Sequence, residues 1–97
     1  MSEPFISDVS EEQIRRERAK AREVRQSPWW KRRIAIGRCH YCEKQFLPRE
    51  LTMDHLVPLV RGGRSNKGNL VPACKACNSS KKHSLAFEWQ PPDPEEK

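Results

Sequence analysis

Long apolar runs are missing from this chain. Its 97 residues are 35% apolar and 7% aromatic, so it can bury one small core, enough for one domain and not two. No stretch approaches the roughly 20 apolar residues of a membrane-crossing helix. The start, Met1-Ser2-Glu3-Pro4-Phe5-Ile6-Ser7-Asp8, lacks the basic region and apolar run of a secretion signal. These absences lead to the expectation of a cytoplasmic protein without a membrane partner. Internal repeats are absent as well. Glycine is scarce, and three of the four glycines, at 62, 63 and 68, mark a single loop.

What the chain does hold is cysteine and positive charge. A chain with so little core needs disulfides or a metal to hold it together. Reduced cytoplasmic thiols favour the metal. The net charge is +6. Residues 1–37 contribute +3, residues 38–83 contribute +6 and residues 84–97 contribute −3. The excess in the middle segment suits a polyanionic partner such as nucleic acid, although many solvated surfaces are basic too.

The organisation can be read along the chain. Residues 1–27 form an arm and a first helix. Ser10-Glu11-Glu12-Gln13 is a capping box, with Val9 and Ile14 placed for a staple across it, and the helix runs to about Gln26. Its apolar stripe is narrow: Ile14, Ala21 and Val24. Arg15, Arg18, Arg22 and Arg25 read as a solvated face before a DNA-contacting one. Ser27 caps a second helix with Pro28 at its first position, and Gly37 stops it. Trp29, Trp30, Ile34 and Ile36 are its expected core residues. Residues 28–89 form the main domain, with a strand over 51–56, a loop over 57–68, a second strand over 69–72 and a helix from about Cys74 to Ser84. Leu85, Phe87 and Trp89 fold back onto the body. Residues 90–97 are a polar, proline-rich tail expected to be disordered.

Two CxxC pairs, Cys39/Cys42 and Cys74/Cys77, stand 31 residues apart. Each pair turns two sulfurs towards one point, and four thiolates suit a tetrahedral structural zinc. A redox CxxC is the rival reading. Between and beside the pairs lie Asp54, His55, Asn69 and Asn78. Asp54 and Asn78 offer the hard oxygens that Mg²⁺ or Mn²⁺ prefers. His55 has the side chain suited to a general base near neutral pH. On a straight strand, Asp54 and His55 point to opposite faces. Each of these residues alone is commonplace, but inside a zinc frame they form a constellation.

The pattern Asp54-His55-Leu56-Val57-Pro58, Gly62-Gly63, Asn69-Leu70 and Cys74-x-x-Cys77-Asn78-x-x-Lys81 resembles the HNH endonucleases, the ββα-metal or His-Me finger group, over about residues 37–89. The resemblance implies a small α+β fold: a ββα finger with a four-cysteine zinc site, preceded by two N-terminal helices. It implies a metal-dependent DNA endonuclease. Asp54 and Asn78 would be ligands of a catalytic divalent cation, His55 the base, Asn69 the residue orienting it, and Lys81 a phosphate stabiliser. Arg61, Arg64, Lys67, Lys82 and His83 are candidate DNA contacts. His83, five residues after Asn78, would point about 140° away from it on an ideal helix. It therefore reads as a phosphate contact or surface residue before a third ligand. The expectation is a monomer acting on DNA, with partner proteins of a packaging, restriction or mobile-element system conceivable. Two other classes remain: a non-catalytic zinc-stabilised nucleic-acid-binding module, and a metal-stabilised adaptor.

Overall fold

The structure, a computed structural model, describes residues 9–85, 88 and 89. The expected arm up to residue 8, Phe87 and the tail over 90–97 lie outside the described residues. Helix α1 spans Glu11–Arg25 and helix α2 spans Pro28–Ala35. Strand β1, Leu51–His55, is followed by a loop with two short 3₁₀ turns, then strand β2, Leu70–Cys74, and helix α3, Lys75–Lys81. No helix among the described residues is long and apolar enough to cross a membrane.

Both N-terminal helices begin where their caps predict. The Gln13 N–H donates to Ser10 Oγ at 3.0 Å, and the Trp30 N–H donates to Ser27 Oγ at 3.3 Å. Ser27 also donates its hydroxyl to the Val24 carbonyl at 2.6 Å, pinning the corner between the helices. Glu11 and Glu12 sit at the positive end of α1, and Arg22 and Arg25 at its negative end. Gly37, at φ +79°, takes the left-handed position just beyond α2. The core partition of α2 differs from expectation. Trp30 is buried, Trp29 is half-buried, and Ile36 is 67% exposed. Ile36 sits at the helix end, where the chain turns into the knuckle, so Trp30 and Ile34 face inward without it.

The knuckle from Cys39 to Cys42 is a tight hairpin. The Cys39 N–H donates to the Lys44 carbonyl and the Glu43 N–H to the Cys39 carbonyl, with Glu43 at φ +65°. It docks on β2 through the His40 N–H, which donates to the Pro72 carbonyl at 2.8 Å. Pro72 has no N–H of its own to leave unpaired there.

β1 and β2 pair antiparallel, with Leu51 opposite Cys74, Asp54 opposite Val71 and His55 opposite Leu70. Every residue of β2 is buried, because other elements cover both its faces. The apolar cluster is Cys39, Leu51, Ala73, Cys74 and Cys77, ringed by Ile34, Tyr41, Cys42, Phe46 and Trp89. Three of its five central members are cysteines, so the core and the thiol site are one body. Trp89 does fold back: its indole N–H donates to Ser80 Oγ at 2.8 Å and its ring meets Tyr41 edge-on.

α3 is shorter than expected. It ends at Lys81 because Lys82 adopts φ +51°, outside the helical region. This turn redirects His83, with consequences for the site.

Candidate active site

The thiols come together first. All four cysteines are unbridged, and their sulfurs lie within 4.8 Å of one another. The Cys42 and Cys74 sulfurs are 3.9 Å apart. Sulfurs arranged tetrahedrally at the usual Zn–S length of about 2.3 Å would stand about 3.8 Å apart, so the cluster fits zinc. Backbone N–H groups of Tyr41 and Cys74 donate to Cys39 Sγ, both at 3.4 Å, and the Cys77 N–H donates to Cys74 Sγ at 3.5 Å. Burial pushes the Cys77 and Cys42 thiols up. Burial works on Cys39 in the same sense, but donation from the amides of Cys74, Cys42 and Tyr41 outweighs it and brings that thiol down to about 7. Four sulfurs gathered this closely, three of them in buried residues, gain most from a cation that takes them all as thiolates.

The second constellation surrounds Asp54, which is 7% exposed near the end of β1. Its Oδ2 accepts from the Tyr41 hydroxyl, and the Lys81 ammonium lies 3.3 Å away. Burial, and then the bond to Asp54, raise the Tyr41 phenol far above its ordinary value, so it stays a donor. Lys81 is fully buried; besides Asp54 it donates to the His55 carbonyl at 3.2 Å, and it does not line the cavity described below. In this structure its ammonium therefore serves the carboxylate, where the expectation had been a phosphate. Asn78 is oriented by a two-step chain. Its Nδ2 donates to Thr52 Oγ1 at 2.8 Å, and the Thr52 hydroxyl donates to the Ala73 carbonyl at 2.9 Å. Thr52 has only one proton, so it must accept from Asn78, and the Asn78 oxygen is the atom left for a cation.

His55 closes β1. Its Nε2 is 2.9 Å from Ser65 Oγ. Ser65 in turn is held by helix α1: its N–H donates to Glu17 Oε1 and its hydroxyl to the Glu17 carbonyl, both at 2.6 Å. Burial lowers the His55 pKa, with Asp54 and Glu17 pulling up and Arg25 and Lys81 pulling down. Burial thereby favours the neutral imidazole, the form that can accept a proton. Asn69 clamps the loop that follows. Its Oδ1 accepts from the Val57 N–H at 2.8 Å, while its Nδ2 donates to the carbonyls of Val57 and Arg64 at 3.1 and 2.8 Å. Gly63 passes so close to the chain that a Cβ there would lie 1.7 Å from the Val57 carbonyl oxygen.

Asp54, His55 and Asn78 line one cavity of about 340 Å³. Both neighbours Asp54 and His55 reach it because His55 is the last residue of the strand. Arg18, Lys82 and His83 complete its polar wall, and Pro58, Leu59 and Val60 its apolar one. His83 arrives there through the turn at Lys82, not along a continued helix. The other candidate contacts are engaged elsewhere. Arg61 makes a two-pronged pair with Glu88 at 2.7 and 3.1 Å. Arg64 lies 3.6 Å from Glu17 Oε2, and the Lys67 ammonium lies over the Trp29 ring. Sequence reasoning missed Tyr41, Ser65 and Glu17, and ranked Arg18 as solvated. A charged residue at the centre of the sparse apolar stripe of α1, between Ile14 and Ala21, was the available signal for Glu17.

A two-stranded antiparallel sheet, a following helix, a thiol cluster and an acid–imidazole–amide cavity define the class: a ββα metal finger. Residues 39–84, just under half of the chain, match the family model described as HNH endonuclease, and that segment is an HNH domain. Over 52 residues, 53% of this chain, it is 36% identical to the CRISPR-associated endonuclease Cas9 of Actinomyces naeslundii. The chain spans about 5% of the length of that relative.

Proposed function

We propose that the protein is a divalent-metal-dependent DNA endonuclease that hydrolyses phosphodiester bonds. The observation that carries this reading is the convergence of Asp54, His55 and Asn78 on one cavity, with Arg18, Lys82 and His83 in its wall. The carboxylate of Asp54 and the amide oxygen of Asn78 would hold Mg²⁺ or Mn²⁺, ions that favour oxygen donors. Such a cation, when bound, supplies positive charge against the charge that grows on the phosphate and on the leaving 3′ oxygen. His55 takes the proton of the attacking water. Asn69 fixes the backbone two residues beyond His55, and Lys81 with Tyr41 holds the Asp54 carboxylate in place. Arg18, Lys82 and His83 seat the DNA backbone, with Arg61, Arg64 and Lys67 on the loop beyond. The four cysteines hold zinc as a structural ion. The protein works as a monomer in the cytoplasm on this reading.

A zinc-stabilised module that only binds nucleic acid would share the thiols and the charge. It has no use for a buried carboxylate, an imidazole and an oriented amide around one cavity. The deciding experiment incubates the zinc-loaded protein with supercoiled plasmid, without added metal and then with Mg²⁺ and Mn²⁺. Cleavage dependent on the added cation is expected. His55→Ala should lower its rate by about 10²–10⁴-fold while zinc content and melting stay unchanged. Binding without cleavage under every cation, or a His55→Ala protein that cuts as fast as wild type, would overturn the reading.

A further inference from the structure

Helix α1 lies wholly before residues 39–84, the segment that matches the family model. By composition it is a charged, solvated helix. Yet it carries a carboxylate only 5% exposed, Glu17, whose hydrogen bond and ion pair, to Ser65 and Arg64, lead to the loop after His55. The partner, Ser65, is 1% exposed and 48 residues away in sequence.

The hydrogen-bond roles in this group can be assigned without seeing a proton. The Glu17 backbone carbonyl can only accept, so the 2.6 Å contact uses the single hydroxyl proton of Ser65. Ser65 Oγ then has only lone pairs to offer His55, and the 2.9 Å contact requires His55 Nε2 to carry a proton. A neutral imidazole with its proton on Nε2 has its free lone pair on Nδ1. From this arrangement we infer that Ser65, gripped by Glu17 of helix α1, is a positioning residue that locks His55 in the Nε2–H tautomer and makes Nδ1 the basic nitrogen.

The arrangement suits a base that must change charge. As Nδ1 receives the proton of water, the hydroxide oxygen bonds to phosphorus, the bond from phosphorus to the 3′ oxygen breaks and that leaving oxygen takes a proton from solvent; throughout, the Nε2–H bond to Ser65 is kept. It strengthens as the ring becomes cationic, because charged donors make stronger hydrogen bonds. No proton has to move on the Ser65 side. The inference also gives α1 a part in catalysis: the helix supplies both the carbonyl that orients the Ser65 hydroxyl and the carboxylate that fixes the Ser65 amide. This rests on the reading of His55 as the base.

The test separates the two. Long-range ¹H–¹⁵N correlation spectra of the zinc-loaded protein, recorded without DNA at alkaline pH, report which imidazole nitrogen is protonated. Wild type should show His55 as the pure Nε2–H tautomer with a slowly exchanging ring proton. Ser65→Ala should show a mixture of tautomers and fast exchange, and Ser65→Thr should restore the wild-type pattern. In plasmid cleavage Ser65→Ala should lose about 10–100-fold in kcat, the range seen when a partner that orients a metal-ligating histidine is removed. KM should be unchanged and Ser65→Thr largely restored. A proton on Nδ1 in the wild type overturns the inference even if Ser65→Ala fails to fold. A Ser65→Ala protein with wild-type tautomer and exchange overturns it as well. If wild type shows the pure Nε2–H tautomer but cuts no DNA under any cation, the lock stands and the nuclease reading falls.

Discussion

The two constellations differ in how they are built. The thiol cluster is assembled from the knuckle and from the junction of β2 with α3, and its hydrogen bonds come from amides within or next to the CxxC pairs themselves. The cavity and the residues that support it come from five separate parts of the fold: Asp54 and His55 from β1, Asn78 from α3, Tyr41 from the knuckle, Ser65 from the loop and Glu17 and Arg18 from α1. The first is self-contained and doubles as core. The second is a charged arrangement held in place from outside. On the proposed function, the difference teaches that stability and chemistry are assigned to separate sites in a chain too small to spare many residues for either. Substitutions should therefore sort by site.

The largest effect belongs to the thiols. Structural zinc contributes about 10–16 kcal/mol to folding in small zinc peptides, more than the whole net stability of an ordinary domain. Cys74→Ser should remove zinc and abolish cooperative unfolding, as monitored by circular dichroism and by a colorimetric zinc assay. A soluble variant that melts cooperatively without zinc would break the comparison, because the core would then stand without its metal.

Next comes Lys81, which is fully buried against Asp54. Lys81→Met keeps the aliphatic stem and leaves the carboxylate without its ammonium. Breaking a buried pair by removing one partner costs about 3–5 kcal/mol. Denaturant unfolding should show this loss without added Mg²⁺ and a smaller one with it, since a cation at Asp54 replaces the missing charge. Zinc content should not change. An equal loss under both conditions would argue that Asp54 does not meet a cation.

How much of this was legible in the sequence follows the same division. The thiol site, the ββα order and the helix starts at Ser10 and Ser27 are local patterns, each written within a few residues. Asp54, His55, Asn69 and Asn78 were legible as a set because several spaced residues agreed with one known arrangement. Glu17, Ser65 and Tyr41 were not. Each is a single polar residue whose partner lies 13 or 48 positions away, so no window of sequence contains both ends of the bond. Arg18 was discounted because an arginine on a charged helix looks the same in sequence whether it faces water or a cavity. Ile36 was misplaced because helical spacing says which residues share a face, not where the chain leaves it. The end of α3 was set too late because the turn at Lys82 has no glycine or proline to announce it.

Tyr41 offers the finest test, because it bridges the two constellations, its backbone on the thiol side and its hydroxyl on the other. It sits between Cys39 and Cys42, donates an N–H to Cys39 Sγ and gives its hydroxyl to Asp54. Tyr41→Phe keeps the ring, and with it the edge-on contact with Trp89 and the N–H to sulfur. Only the bond to Asp54 is lost. A hydrogen bond to a charged group is worth about 1.5–3 kcal/mol, and Asp54 still has Lys81, so the loss of stability should fall at the lower end. Orientation of the carboxylate should suffer more than the fold. The concentration of Mg²⁺ needed for half-maximal cleavage should rise by about tenfold, as when a partner of a metal ligand is removed, with zinc content unchanged. If zinc were lost as well, the two sites would be a single cooperative unit and their division of labour would not hold. If neither quantity moved, the knuckle would be scaffold alone, and Lys81 would be what positions the carboxylate.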